Sequence, residues 1–197
     1  MSSGITLWFT GIPASGKSTI ARETGDLLAQ RGLPVELLDG PEVRQSLSRG
    51  LGFTHEDREE NVRRIGYVAK LLSRNGVIAI CAAVSPYRAT RDEIRTHVTN
   101  FIEVYVECPL SEAERRDTEG LYARARAGVI EDFTGVSDPY EPPLRPEVHI
   151  RSDQESAASA ARKVVKTLEL LQLIPPVEDG SPDADALRRR LRGLGYI

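Results

Sequence analysis

Eight consecutive residues, Gly11-Ile12-Pro13-Ala14-Ser15-Gly16-Lys17-Ser18, restrict the folds open to this chain more than any other segment. They fit G-x-x-x-x-G-K-[ST], a loop that cradles phosphates when a strand leads into it and a helix leads out. Both flanks comply. Ile5-Thr6-Leu7-Trp8-Phe9-Thr10 is apolar and β-branched, as a buried strand is, and Ser18 to Arg31 reads as a helix with Ile20, Leu27 and Leu28 apolar. The glycines let backbone N–H groups turn inward, and the helix N-terminus adds positive potential. In that frame Lys17 reaches the β- and γ-phosphates, and the Ser18 hydroxyl takes one Mg²⁺ position. The run from Gly11 through Thr19 is therefore predicted to bind a nucleoside triphosphate with Mg²⁺. A glycine-rich turn that matches by accident is the weaker reading.

Apolar runs recur along the chain with helical patterns between them: Val35–Leu38, Val77–Cys81, Phe101–Val106 and a weaker Val148–Ile150. Strands alternating with helices make βαβ units, hence an α/β fold with a central parallel sheet and helices on both faces. Thr54-His55-Glu56-Asp57 fits a capping pattern, and Val62, Ile65, Val68, Ala69 and Leu72 form the apolar stripe of the helix it starts. Asn75-Gly76 stops that helix, and residues 154–172 form another. Residues 118–146 break the rhythm with Gly120, Gly128, Gly135, Pro139, Pro142, Pro143 and Pro146. So long an irregular segment inside a compact domain predicts a lid. The domain is expected to span 1–174. Residues 175–197 follow as a linker and a short tail with Leu187, Leu191 and Leu194 at helical spacing. That tail either docks on the body or a partner, or frays.

Composition narrows the function classes. The chain is 40% hydrophobic and 28% charged, as soluble globular domains are, and its net charge of −3 leaves no basic excess for a nucleic-acid partner. No apolar run approaches about 18 residues and no signal peptide opens the chain, so a cytoplasmic protein with no membrane partner is expected. Cys81 and Cys108 lie in apolar strand-like runs and are expected to be buried free thiols. His55, His97 and His149 are too scattered for a metal set.

Four further segments, read with the loop, resemble the adenylylsulfate kinases. They are Leu38-Asp39-Gly40-Pro41-Glu42-Val43-Arg44; Leu51-Gly52-Phe53-Thr54 through Asp57-Arg58-Glu59-Glu60-Asn61-Val62-Arg63-Arg64-Ile65-Gly66; Ser85-Pro86-Tyr87-Arg88; and Gly120-Leu121-Tyr122 through Ala125-Arg126-Ala127-Gly128 to Phe133-Thr134-Gly135. The resemblance runs from about Ile5 to Leu171. It implies a P-loop NTPase-type three-layer α/β sandwich, nucleotide-kinase-like, with a mobile lid. It also implies Mg·ATP as donor, the ribose 3′-hydroxyl of adenosine 5′-phosphosulfate (APS) as acceptor, a place in sulfate assimilation, and a homodimer.

The resemblance assigns roles that the residue chemistry supports. Phe53 and Phe133 match two phenylalanines that sandwich the APS adenine, and each stacked face contributes ~1–3 kcal/mol by analogy with base stacking. For Phe53 the competing reading is a core contact from a loop. Arg44, Arg58 and Asn61 match the acceptor-binding set; Arg58 and Asn61 are three apart and share a helix face. A guanidinium grips phosphate or sulfate through two parallel N–H bonds, as lysine cannot. Arg63 and Arg64 read instead as a solvated ion-pair face. The implied catalytic set is Lys17, Asp39 and Ser85, with Asp39 on the metal or its water. Ser85 matches a serine assigned in the family as phosphorylated, although in-line transfer needs no covalent step and a turn serine capping the next helix is an equal reading. Tyr122, Arg124 and Arg126 fall in the lid, where the arginines either offset charge on the transferring phosphoryl group or are solvated.

Two positions depart from the family pattern. Asp-Gly-Asp becomes Asp39-Gly40-Pro41, and Ala123 stands where lysine is usual. Loss of a carboxylate that orients the nucleophile or metal costs about 10²–10⁴ in rate. Two alternatives therefore stay open: a P-loop kinase for another small acceptor, and a catalytically weakened regulatory protein that binds ATP and APS.

Overall fold

The computed structural model describes residues 4–176 and 183–196. Its centre is β1 (Ile5–Thr10), flanked by β3 (Ile78–Ala82) and β4 (Phe101–Glu107), with β2 (Val35–Asp39) and β5 (Val148–Arg151) outside them. The order β2-β3-β1-β4-β5 is parallel throughout. Parallel neighbours require crossovers, and the sequence supplies helices for them: α1 (Lys17–Gln30), α3 (His55–Arg74), α4 (Arg88–His97) and α7 (Ala157–Leu170), with short α2 (Gly40–Gln45), α5 (Leu110–Arg116) and α6 (Leu121–Arg126).

Alternation along β1 divides the core. Ile5, Leu7 and Phe9 pack with Ile20 and Leu28 of α1 and with Val164 and Leu168 of α7. Trp8 packs with Val62, Ile65 and Ala69 of α3 and with Ile94 of α4. Each valine, leucine, isoleucine or phenylalanine among them, taken fully from water, contributes ~1.5–3 kcal/mol. The result is the three-layer sandwich that the alternation of strand and helix predicts.

The carboxyl ends of parallel strands share one edge, so the loops after β1, β2 and β3 converge there. Thr54 starts α3 as the pattern predicts, its hydroxyl accepting from Asp57 N at 3.2 Å. Segment 118–146 is irregular apart from α6 and an isolated bridge between Thr134 and Asp138. The tail folds as α8 (Asp183–Leu194) against α7, with Leu187 and Leu191 buried, so docking on the body is the reading that holds. Linker residues 177–182 lie outside the described residues. Cys81 and Cys108 are buried and unpaired. Among the described residues no helix is long and apolar enough to cross a membrane.

Candidate active site

The loop after β1 owes its path to two glycines. A Cβ on Gly11 would sit 2.4 Å from the Val106 carbonyl, so only glycine lets the loop lie against β4. Gly16 stands in the left-handed region at φ 94° directly before α1. Lys17 Nζ donates to Ile12 O at 2.7 Å and to Ser15 Oγ at 3.3 Å. Burial pushes its pKa down to about 7, against the opposing pull of Asp39. Ser18 Oγ donates to Asp39 Oδ1 at 2.7 Å, and Gly40 N donates to the same oxygen at 2.9 Å, which makes Asp39 the cap of α2. The end of β2 and the start of α1 thus place two hard oxygens side by side.

Proline occupies the first turn of α2, where a missing N–H leaves no helical bond unmade. Glu42 is exposed and does not line the cavity described next. Among the described residues that line the cavity described next, Asp39 is the one carboxylate.

Lys17, Ser18 and Asp39 border a cavity of about 320 Å³ that Arg44, Phe53, Arg58, Asn61, Ser85 and Phe133 also line. Ala14, Lys17 and Ser18 are shared with a second cavity, of about 540 Å³, which continues along Gly16, Thr19, Arg116, Ser152 and Ser156. Pro13 lines only the first. Gly11 and Ser15 of the same loop are buried, and Ile12 faces a third hollow with Asp138 and Tyr140. Two cavities therefore meet at Lys17 and Ser18. Arg116, Ser152 and Ser156 carry no signal in the sequence, because they come from α5 and the segment after β5 and join only through the fold.

At the first cavity Phe53 is 51% exposed, so its ring is a surface and not a core contact. The Arg44 guanidinium carbon lies 4.4 Å from the ring centroid and that of Arg58 lies 5.4 Å away. Burial lowers the pKa of Arg44, and the like charge of Arg58 lowers it further. Arg58 Nε donates to Phe53 O at 2.9 Å and its Nη2 to Asp132 O, so one buried side chain holds the Phe53 loop and the 118–146 segment together. Arg44 Nη1 donates to Gly52 O at 3.2 Å. The Oδ1 of Asn61 is buried without a protein partner.

Phe133 differs from expectation in being mostly core. It is 7% exposed and packs edge-on against Tyr122, centroids 5.0 Å apart, in a cluster with Cys108, Ala113 and Ala125. Part of it still borders the cavity. Tyr122 OH donates to Pro13 O at 2.8 Å, tying α6 to the loop. Arg124 and Arg126 do not line the cavity; both are exposed, and Arg126 pairs with Glu114. Arg63 pairs with Glu93 at 3.0 Å and Arg64 with Glu60 at 2.7 Å, as a solvated ion-pair face does. Ser85 does not cap α4, whose cap position is Tyr87. Its hydroxyl accepts from Trp8 Nε1 at 3.0 Å, lies 3.0 Å from Thr10 Oγ1, and is buried. His55 stacks on Tyr87 and His149 meets Glu107.

Comparison with known proteins gives a consistent result. The family model for adenylylsulphate kinase matches residues 3–151. An adenylyl-sulfate kinase of Picosynechococcus sp. is 51% identical over 173 residues, 88% of this chain and 98% of the relative. One from Chloroflexus aurantiacus is 50% identical over 175 residues, covering 89% and 94%. Among solved structures, the Mycobacterium tuberculosis APS kinase CysC in complex with AMPPNP and APS superposes with a TM-score of 0.82 at 39% identity, covering 86% of this chain and 99% of that one. A hexameric APS kinase from Thiobacillus denitrificans gives 0.68 at 34% identity, over 88% and 30%.

Proposed function

Because the chain belongs to the adenylylsulfate kinase family, we infer that it transfers the γ-phosphate of ATP to the 3′-hydroxyl of APS, giving 3′-phosphoadenylylsulfate in sulfate assimilation. One observation carries this reading: two cavities meet at Lys17 and Ser18, and one of them also holds two guanidiniums on an exposed aromatic ring. A donor triphosphate and an anionic, purine-bearing acceptor fit such a pair of sites. The 3′-oxygen bonds to the γ-phosphorus as the bond to the bridging oxygen breaks; ADP leaves, and the hydroxyl proton is released to solvent. Phosphoryl transfer of this kind depends on positioning and on charge placed around the equatorial oxygens.

In this reading the loop from Gly11 to Thr19 holds the triphosphate, with the Lys17 ammonium on its β- and γ-oxygens. Phe53 and the cavity-facing edge of Phe133 take the adenine of APS. Arg44, Arg58 and Asn61 take its anion and ribose, and the buried, unpartnered Asn61 Oδ1 is an acceptor for a ligand hydroxyl. Mg²⁺ binds through few protein oxygens and keeps phosphate and water ligands, which suits the 2.7 Å pair of Ser18 Oγ and Asp39 Oδ1. When bound, the ion neutralises charge on the transferring phosphates. The inward-bonded hydroxyl of Ser85 supports a role in shaping the turn and not in carrying a phosphoryl group. A homodimer and a cytoplasmic setting belong to the same proposal, supported by the oligomeric relative and by two free buried thiols.

An ADP-release assay tests the function: turnover should require APS and saturate with it. Folded protein that binds ATP but shows no APS-dependent turnover overturns the reading, and turnover with other hydroxyl acceptors points to the alternative kinase. A pH prediction also arises here. Free Lys17 titrates near pH 7, and bound phosphate oxygens favour its charged form, so binding takes up a proton above pH 7. ATP affinity should be flat below pH 7 and weaken by up to about tenfold per unit above it, as linkage requires. Calorimetry in buffers of different ionisation enthalpy should show uptake approaching one proton per ATP at pH 8, and none in Lys17→Arg.

A further inference from the structure

Outside the two cavities, a set of buried charges links the C-terminal helix to the turn after β3. Gly195 ends α8 in the left-handed region at φ 81°, with Gly195 N donating to Arg192 O and Tyr196 N to Leu191 O, each at 3.0 Å. That turn brings Tyr196 back over the sheet edge, where its hydroxyl bonds Glu147. Arg190 Nε donates to the Glu147 carbonyl at 3.1 Å. Glu147 is 1% exposed and receives Arg95 Nη1 at 2.7 Å, and Arg95 Nη2 donates to Glu103 at 3.1 Å. Glu103 in turn receives Arg91 Nε at 2.8 Å.

Arg91 is the end of this chain of contacts that touches the site. It is 1% exposed, and its remaining donors go to main-chain carbonyls: Nη1 to Ser85 O at 2.6 Å and Nη2 to Glu141 O at 2.7 Å. Ser85 stands at φ 40°, a left-handed conformation that a non-glycine residue holds only when its surroundings fix it. Trp8 and Thr10 fix its side chain, and Arg91 fixes its carbonyl. The bond to Glu141 O does the same for the returning end of segment 118–146.

We propose that Arg91 is a positioning residue for the acceptor side of the cavity, and that α8, through Tyr196 on Glu147, sets where Arg91 stands. Tyr196 and α8 lie beyond residues 3–151, which the family model matches. The proposal rests on the kinase reading above. A row of contacts becomes a coupling only when perturbing one end moves the other.

The test uses the full chain with Tyr196→Phe, which removes one hydroxyl from a half-exposed ring, and Arg91→Lys, which keeps the charge but not the forked donors. Trp8 is the only tryptophan and its indole N–H bonds Ser85 Oγ, so its cross-peak in a ¹H–¹⁵N spectrum reports on the turn. Both variants should shift that peak. Arg91→Lys should raise the KM for APS about tenfold and Tyr196→Phe about threefold, with the KM for ATP within about twofold and the double variant no worse than Arg91→Lys alone. An unmoved indole peak in Tyr196→Phe, unchanged KM for APS, or independent multiplying effects would overturn the proposal. So would equal losses toward both substrates, which mark a merely structural role. If Arg91→Lys does not fold, Tyr196→Phe decides alone. Absence of APS turnover in the unaltered chain would instead overturn the kinase reading, and the indole peak would still decide the coupling.

Discussion

Lys17→Met should lower phosphoryl transfer by about 10³ or more, the scale seen when a charge-stabilising donor is lost, without lowering the stability of the fold. The two halves of this expectation share one cause. Lys17 is an ammonium with its pKa pushed down to about 7 by burial, so the folded chain spends free energy to hold a charge there. Its bonds to Ile12 O and Ser15 Oγ offset only part of that. Methionine has similar length and no charge, and it removes the penalty along with the function. The sign follows from linkage: a lysine with a lowered folded pKa weakens the fold most below pH 7, and the penalty fades as pH rises toward 10.5. The thermal midpoint of Lys17→Met should therefore equal or exceed that of the unaltered chain at pH 6, and the difference should shrink by pH 9. A methionine variant that turns over APS normally would remove Lys17 from the chemistry. One that unfolds would show that the lysine stabilises the loop and does not strain it.

The fold was legible wherever burial wrote a period into the chain. β1, α1, α3 and α7 carry that period clearly, and the structure places each of them within a few residues of the sequence boundaries. α2, α5 and α6 were not legible, because helices of six or seven residues have too few turns to form a stripe. α6 hides further among the glycines and prolines of 118–146.

At the site, residues placed by local geometry are legible in the sequence, and those placed by tertiary contact are not. Arg58 and Asn61 share a helix face, and both reach the cavity. Phe133 lies in a glycine- and proline-rich segment, which reads as outside the core. Its neighbours in space are Tyr122 and Cys108, which no local pattern announces. Arg124 and Arg126 suggested cations for the phosphoryl group, yet the α6 face that meets the loop is that of Tyr122. Ser85 shows the same limit, since its partners Trp8 and Thr10 come from a strand more than seventy residues away. The missing aspartate is the converse case: proline fits the first turn of α2, so the helix forms without it.

Arg58→Ala should reduce kcat/KM for APS by about 10²–10³, equivalent to ~3–4 kcal/mol, while ATP affinity stays within about twofold. Several contacts fail together in this variant. The guanidinium leaves the ring of Phe53, the Phe53 and Asp132 carbonyls lose a donor, and Asp138 loses its nearest cation at 3.9 Å. Each carbonyl loss loosens one of the two segments that face the acceptor, and the anion loses a cation as well. Arg58→Lys should recover less than a tenth of the lost activity, because an ammonium cannot span two carbonyls and a ring at once. Arg63→Ala is the control: Arg63 lies on the same helix but pairs at the surface with Glu59 and Glu93, and its loss should change neither substrate constant by more than about twofold. Steady-state kinetics with each substrate varied in turn, alongside ATP titration calorimetry, separates the cases. Equal loss toward ATP and APS would move Arg58 from acceptor recognition to the general integrity of the site. Full rescue by lysine would show that charge alone is what the acceptor requires.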